Sequence, residues 1–200
     1  MARTKRSPKG SPFERETCKT LSLWWTDCER DDIYWRTSGS GARATVRGRK
    51  GTATFGGYGD VCAVDPLGQP LLDCCTFELK RGYGKWSVMD MLDANETAAV
   101  QPFEKFFTQV NDDNTLAGSK WPVIIARRDR RCATITIPRN MYQELYCYYG
   151  NTKRIQRHIA FRWRLKEGDL AEMCMFRLKD WLDWVDPGFF SKYMTRCSND

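Results

Sequence analysis

The spacing of apolar residues predicts a helix close to the start of the chain. Ser11 is suited to the N-cap, Pro12 to the first helical position, and Glu14 to completing a capping box. The apolar or small residues that then recur at helical spacing are Phe13, Thr17, Cys18, Leu21 and one of Trp24 or Trp25. Residues 1–11 are rich in Ser, Pro, Gly, Lys and Arg, so we expect a disordered basic tail there.

Short apolar runs separated by Pro and Gly predict strands after this helix. The run at 31–37 reads as a short strand that leads into a Gly/Ser turn. Residues 42–58 are basic and Gly-rich with no apolar period, which predicts a long loop. Residues 59–81 contain a short strand, a Pro turn and the longer run LLDCCTFELKRG. We therefore expect a hairpin over 59–81.

Helical and strand patterns alternate through the second half of the chain. A helix broken or restarted near Pro102 precedes strand-like runs in 121–130 and 132–138. The segment NMYQELYCYYG is typical of a helix ending at Gly150, two late strands follow, and KDWLDWV reads as a short amphipathic helix. This order predicts a single α/β domain over 12–200, with a core over 12–130 and C-terminal additions over 131–200.

Composition and charge narrow the class of protein. Over 200 residues, 42% are hydrophobic and 13% aromatic, which is enough for a sizeable core and excludes a wholly disordered chain. No apolar run approaches the roughly 20 residues of a membrane helix, and the basic start leads into no apolar core of a secretory signal. The net charge of +7 favours a polyanionic partner, nucleic acid before an anionic membrane.

Cysteine and histidine usage limits the available chemistry. The nine cysteines form no C-x-x-C pair, which argues against structural zinc and favours reduced thiols in a cytoplasm. His158 is the single histidine, so triads and multi-His metal centres would all have to share it. Catalysis by this chain is therefore expected to use carboxylates and lysine.

The candidate chemistry lies at Glu78 and Lys80. Alternate side chains of a strand share a face, so these two would point together while Phe77 and Leu79 face the opposite layer. Asp60, which heads the preceding strand, can reach the same place in a hairpin. Two carboxylates and a carbonyl oxygen, such as that of Leu79, suit Mg²⁺ or Mn²⁺, and a neighbouring lysine can activate water. The same residues could also form an ordinary ion pair at an exposed strand end.

Four short motifs resemble the P-D…(D/E)-x-K nuclease superfamily, most closely the archaeal Holliday junction resolvases and related phage nucleases. They occur in the family order as the helix triplet 14–16 (Glu-Arg-Glu), the stretch 36–40 (Arg-Thr-Ser-Gly-Ser), Asp60, and the triplet 78–80 (Glu-Leu-Lys). The resemblance covers residues 11–85 and implies a restriction-endonuclease-like core with a mixed central sheet flanked by helices. Gly59 stands where the superfamily often has Pro.

The resemblance also implies roles for individual residues. Glu14 would complete the metal site, Glu16 would face elsewhere, and Arg36, Ser38 and Ser40 would contact the phosphate of the cleaved bond. We expect the loop before Asp60 to bind DNA through its basic residues Arg43, Arg47, Arg49 and Lys50.

The predicted function is that of a Mg²⁺- or Mn²⁺-dependent DNA endonuclease in the cytoplasm of a bacterium or a phage-infected host cell. The favoured substrate is branched DNA such as a Holliday junction, and a homodimer is then expected because a symmetric junction needs two cuts. Two alternatives stay open. One is a repair, restriction or phage DNA-processing nuclease that cuts duplex or single-stranded DNA, and the other is a DNA-binding protein that keeps this fold without catalysis.

Overall fold

The structure is a computed structural model. It describes residues 10–37, 58–82, 87–93, 101–150, 153, 155, 157–164 and 170–197. The predicted basic tail over 1–11 lies outside these ranges up to residue 9, whereas its residues 10–11 are helical. The predicted DNA-binding loop over 42–58 lies outside them except for residue 58. All cysteines within them except Cys197, whose side chain is not described, are free thiols in this structure.

The first helix is confirmed. Helix α1 spans Gly10–Trp25, so it begins one residue before the predicted N-cap. Most of its predicted stripe is buried, including Phe13, Cys18 and Leu21. The short strand is confirmed as well, as β1 over Tyr34–Arg36.

The hairpin predicted over 59–81 is wrong. Strand β2, Val61–Ala63, pairs antiparallel with β1 in a separate two-stranded sheet. The side chain of Asp65 accepts a hydrogen bond from the N–H of Leu67 and caps a 3-10 turn over Pro66–Gly68. Helix α2, Gln69–Cys74, then occupies the first part of the apolar run that was assigned to the longer strand. A short apolar run fits a buried helix as well as a strand, and here the Asp-capped turn starts a helix.

The central sheet has five strands in the described part of the chain, in the order β3-β4-β5-β7-β6. Strands β3, Cys75–Gly82, and β4, Trp121–Arg128, run parallel, and the other pairings are antiparallel. Helices α3, Asp90–Asp93, and α4, Pro102–Ala117, lie in the connection between β3 and β4. The helix start predicted near Pro102 is confirmed.

The later elements complete this sheet and cover it. They are β5 Thr134–Pro138, α5 Arg139–Tyr149, β6 Ile159–Arg164, β7 Leu170–Arg177, α6 Leu178–Trp184 and α7 Gly188–Cys197. Each was predicted except α7. The division at residue 130 into core and additions does not match the sheet, because β5, β6 and β7 are three of its five described strands.

The sheet carries an apolar layer on each face, and the side chains of β3 alternate between the two faces. Phe77 and Leu79 belong to the larger apolar cluster, together with residues of α1 and of the C-terminal helices. Lys80 lies instead over the ring of Phe106 from α4, which belongs to the second cluster. The predicted alternation is thus confirmed, and it directs the polar side chains of β3 toward α4. No helix among the described residues is long and apolar enough to cross a membrane.

Candidate active site

Asp60 is fixed to the edge of β3 by two hydrogen bonds. Its backbone N–H donates to the carbonyl of Phe77 over 2.7 Å, and its Oδ2 accepts from the N–H of Leu79 over 2.8 Å. The N–H and C=O of one strand residue point to the same side of the strand, so the carbonyl of Leu79 is expected to face this edge too. Asp60 therefore reaches β3 without the predicted hairpin, and its side chain is buried, with the residue 6% exposed.

Gly59 makes this close approach sterically feasible. Its φ is +69°, and a Cβ at this position would lie 2.6 Å from the carbonyl oxygen of Phe77 and 2.9 Å from Cγ2 of Thr76. Proline, which often occupies this position in the superfamily, has a φ fixed near about −65° and cannot adopt this backbone. The departure from the family pattern is explained by a glycine-specific turn that brings Asp60 to β3.

We predict that Gly59→Ala destabilises the protein by about 2–4 kcal/mol, because it combines a left-handed backbone with a steric clash. Gly118→Ala is the matched control, since Gly118 has a φ of +70° but no neighbouring atom within 4 Å of the place that a Cβ would take. The control is expected to cost only about 1 kcal/mol. Urea unfolding of both variants measures the difference, and equal losses would contradict the packing around Gly59.

Glu78 is buried, which contradicts the alternative of an ordinary ion pair at an exposed strand end. The residue is 1% exposed, and Lys80 is largely buried beside it. Nζ of Lys80 forms an ion pair with Oε1 of Glu78 and donates a hydrogen bond to Oε1 of Gln109 over 3.0 Å. Apart from this ion pair, neither carboxylate oxygen of Glu78 has a hydrogen-bond partner among the described residues. Such a carboxylate is costly to bury in its charged form.

The two buried carboxyl groups have raised pKa values. Burial raises the pKa of Glu78 to about 8, with repulsion from Asp60 adding to the rise and Lys80 opposing it. Burial also raises the pKa of Asp60 to about 6, against the hydrogen bond from Leu79 and the charge of Lys80. Burial, with repulsion from Asp60 added, thus favours a bound proton or cation at Glu78 at neutral pH.

We predict that Glu78→Gln stabilises the metal-free protein at alkaline pH. The pKa of Glu78 rises from 4.5 to about 8 on folding, so stability is lost as the pH increases through this interval. In EDTA at pH 9 the variant should be more stable than the wild type by about 1–3 kcal/mol, and the difference should nearly vanish at pH 4. Denaturant unfolding at several pH values measures it, and a pH-independent difference would contradict the buried charge.

Glu14 and Arg36 approach the site from α1 and β1. Nη1 of Arg36 donates to Oε2 of Glu14 over 3.3 Å, and the charge of Glu14 contributes to the raised pKa of Asp60. Glu16 points elsewhere: both its oxygens accept from the guanidinium of Arg127 over 2.6 Å. The remaining predicted DNA contacts lie outside the described residues, and they are Ser38, Ser40, Arg43, Arg47, Arg49 and Lys50.

The oxygen ligands of Asp60 and Glu78 suit a divalent cation, although the described side chains do not form a preassembled metal site. Among the described residues, no group of three or more acidic, Cys or His side chains is close enough to hold a metal ion. The fit rests on Glu78, whose buried oxygens lack hydrogen-bond donors other than Lys80, and on the nearby carboxylate of Asp60. Hard oxygen ligands of this type are those that Mg²⁺ and Mn²⁺ prefer.

One acidic residue of the site was missed by the sequence analysis. Asp113 on α4 is buried, and its charge raises the pKa of both Asp60 and Glu78. It lies in the run NDDN, which reads as an ordinary polar helix end, so only the packing of α4 on β3 reveals it.

His158 is exposed and stacks on Phe176, with ring centroids 5.4 Å apart.

Comparison with known proteins assigns the family. A family model described as "Phage putative PDDEXK endonuclease" matches residues 5–191, nearly the whole chain. Searches of the curated proteins and of the solved structures gave no significant match. The matched range includes the strand that bears Glu78 and Lys80, the loop that bears Asp60 and all five strands of the central sheet. The chain therefore belongs to the PDDEXK endonuclease family of phages, with a restriction-endonuclease-like fold.

Proposed function

We propose that this protein is a Mg²⁺-dependent DNA endonuclease whose active centre lies at the edge of β3. The observation that carries the proposal is the buried carboxylate of Glu78, which lies beside Asp60 and has no hydrogen-bond donor other than Lys80 among the described residues. A protein gains no stability from such a group, since an unsatisfied buried carboxylate destabilises the fold. Membership of an endonuclease family supports a catalytic role for this destabilising carboxylate.

Each residue of the centre has a proposed role. Asp60, Glu78 and the carbonyl of Leu79 would hold the metal. Glu14 would become a further ligand once its carboxylate leaves Arg36 and binds the cation. When bound, Mg²⁺ (or Mn²⁺) polarises the scissile phosphate and lowers the pKa of bound water. Lys80 orients the attacking water and offsets the negative charge that develops on the phosphate. The hydrogen bond from Leu79 keeps Asp60 in place during this step.

DNA is the proposed substrate because Lys80 and Arg36 pair with the carboxylates of this centre, and the sequence before Asp60 is rich in basic residues. Arg36 would transfer from Glu14 to the scissile phosphate, and Ser38 and Ser40 would contact the same phosphate. The basic loop would hold the backbone next to it, through Arg43, Arg47, Arg49 and Lys50. The net charge of +7 supports this arrangement, since phosphate contacts supply most of the affinity of non-specific DNA binding.

Branched DNA is the favoured substrate, with two copies of the chain acting on a symmetric junction in the cytoplasm. A panel of equimolar labelled DNAs tests this choice: a four-way junction, a flap, a linear duplex and a single strand, each with Mg²⁺. We expect the junction or the flap to be cut fastest. Equal cleavage of junction and duplex would exclude the resolvase assignment, whereas metal-independent binding of all four without cleavage would favour a DNA-binding protein.

A further inference from the structure

A cavity of about 420 Å³ lies beside the proposed active centre, between α4 and strands β4 to β7. Lys80 forms one of its walls, with Nζ 5.3 Å from the centre of the Phe106 ring. The volume falls within the range of about 300–1,000 Å³ typical of small-ligand sites. The cavity therefore shares Lys80 with the proposed centre and is large enough for a group of nucleotide size.

The cavity combines aromatic walls with a cationic rim. Phe103 and Phe106 are buried in its floor, and Phe161 stands half-buried against Phe103, edge to face with ring centroids 5.5 Å apart. Arginines from two places in the chain line the cavity, among them Arg131 from the connection between β4 and β5 and Arg162 from β6. No acidic side chain lines the cavity in the described part of the chain. Arg127 and Arg162 are ion-paired with Glu16 and Glu172, so Arg131 supplies the charge that complements an anionic ligand.

We infer that this cavity receives one unpaired nucleotide of the DNA substrate, next to the phosphate that is cleaved at Lys80. The base stacks on Phe161 over the phenylalanine floor, and Arg131 binds the nucleotide's phosphate. Aromatic faces combined with a basic groove are the usual means of holding single-stranded DNA. This inference rests on the proposed nuclease function and adds a substrate class to it.

Such a cavity distinguishes between two kinds of DNA. A base in an intact duplex is stacked and paired, and it enters a pocket only at an unstacking cost of about a few kcal/mol. A base in a single strand, a flap or an opened junction has already left the stack. The cavity therefore selects DNA with an unpaired nucleotide next to the cleaved bond over continuous duplex.

The test uses Glu78→Gln protein, so that binding is measured without cleavage. The DNA carries 2-aminopurine either as an unpaired nucleotide at a branch point or inside a matched duplex. We expect the unpaired DNA to bind at least about tenfold more tightly, and its 2-aminopurine fluorescence to be quenched on binding. Adding Phe161→Leu, which keeps an apolar side chain but removes the ring, should lower this preference about fivefold.

Two arginine variants provide a matched pair. Arg131→Gln should lower the preference for unpaired DNA, since Arg131 lines the cavity. Arg130→Gln removes the same charge from an exposed residue outside the lining and should leave the ratio of affinities unchanged. Melting temperatures check that each variant folds, and the exposed Arg131 keeps the test valid if Phe161→Leu is unstable.

The outcomes distinguish this inference from the proposed function. If wild-type protein cleaves DNA with Mg²⁺ but Phe161→Leu and Arg131→Gln keep the full preference, only the inference about the cavity fails. A loss of self-association in Phe161→Leu, with DNA preference unchanged, would assign the cavity to a second copy of the chain and overturn the inference. If no DNA is bound or cleaved, both the inference and the proposed function fail.

Discussion

Replacing Glu78 with Gln is expected to lower metal-dependent DNA cleavage by about 10³-fold or more. Gln keeps the size of the side chain but cannot supply the negative charge that the buried site directs at a cation. The carboxylate has no other role in the described contacts than its ion pair with Lys80. Single-turnover cleavage rates of the most active DNA measure the loss.

The controls for this variant separate catalysis from folding and binding. Glu29→Gln changes an exposed residue in the loop after α1 and should keep the wild-type rate. Glu78→Gln should also keep its DNA affinity within about threefold, because most of that affinity comes from phosphate contacts. Wild-type cleavage by Glu78→Gln would remove Glu78 from the catalytic centre.

Replacing Lys80 with Met is expected to lower the cleavage rate by about 10²–10⁴-fold. The methionine side chain keeps a similar length beside Phe106, while the ammonium group that lies over this ring and pairs with Glu78 is lost. The proposed centre then lacks the cation that orients water and offsets charge on the phosphate. The rate at saturating DNA is the informative measurement, since this role is expressed in the transition state.

Lys105→Met is the matched control for Lys80→Met. Lys105 is an exposed lysine on α4, the same helix that supplies Gln109 to Lys80. Its substitution removes the same charge and should change the saturated rate less than about twofold. If both lysine variants lost activity equally, the effect of Lys80 would reflect overall charge and not its position at the site.

Local pattern was sufficient for the elements that carry strong periodic signals. Helix α1 follows from the spacing of Phe13, Cys18 and Leu21, and the polar pair on β3 follows from strand alternation. The strand prediction failed over 71–74, where an apolar run has no period that separates helix from strand. There the Asp65-capped turn decided the outcome, and β2 paired with β1 in place of β3.

The parts of the site that depend on tertiary packing could not be predicted from the sequence. Glu78 is buried because α4 covers β3. Helix α4 lies more than twenty residues later in the chain, in the long connection between β3 and β4. The role of Asp113 depends on that same packing. Gly59 departs from the family pattern in the sequence itself, but the reason for it, the close approach to Phe77, is seen only in the folded chain.

The carboxylates and lysine at the edge of β3 are proposed to cleave DNA with a divalent cation. The most direct measurement compares wild-type protein with Glu78→Gln, purified in parallel, on the labelled DNA panel with Mg²⁺ and with EDTA. We predict cleavage by the wild type with Mg²⁺, none with EDTA, and at least about a 10³-fold lower rate for the variant. Cleavage that persists in EDTA, or equal rates for both proteins, would contradict this assignment of the active centre.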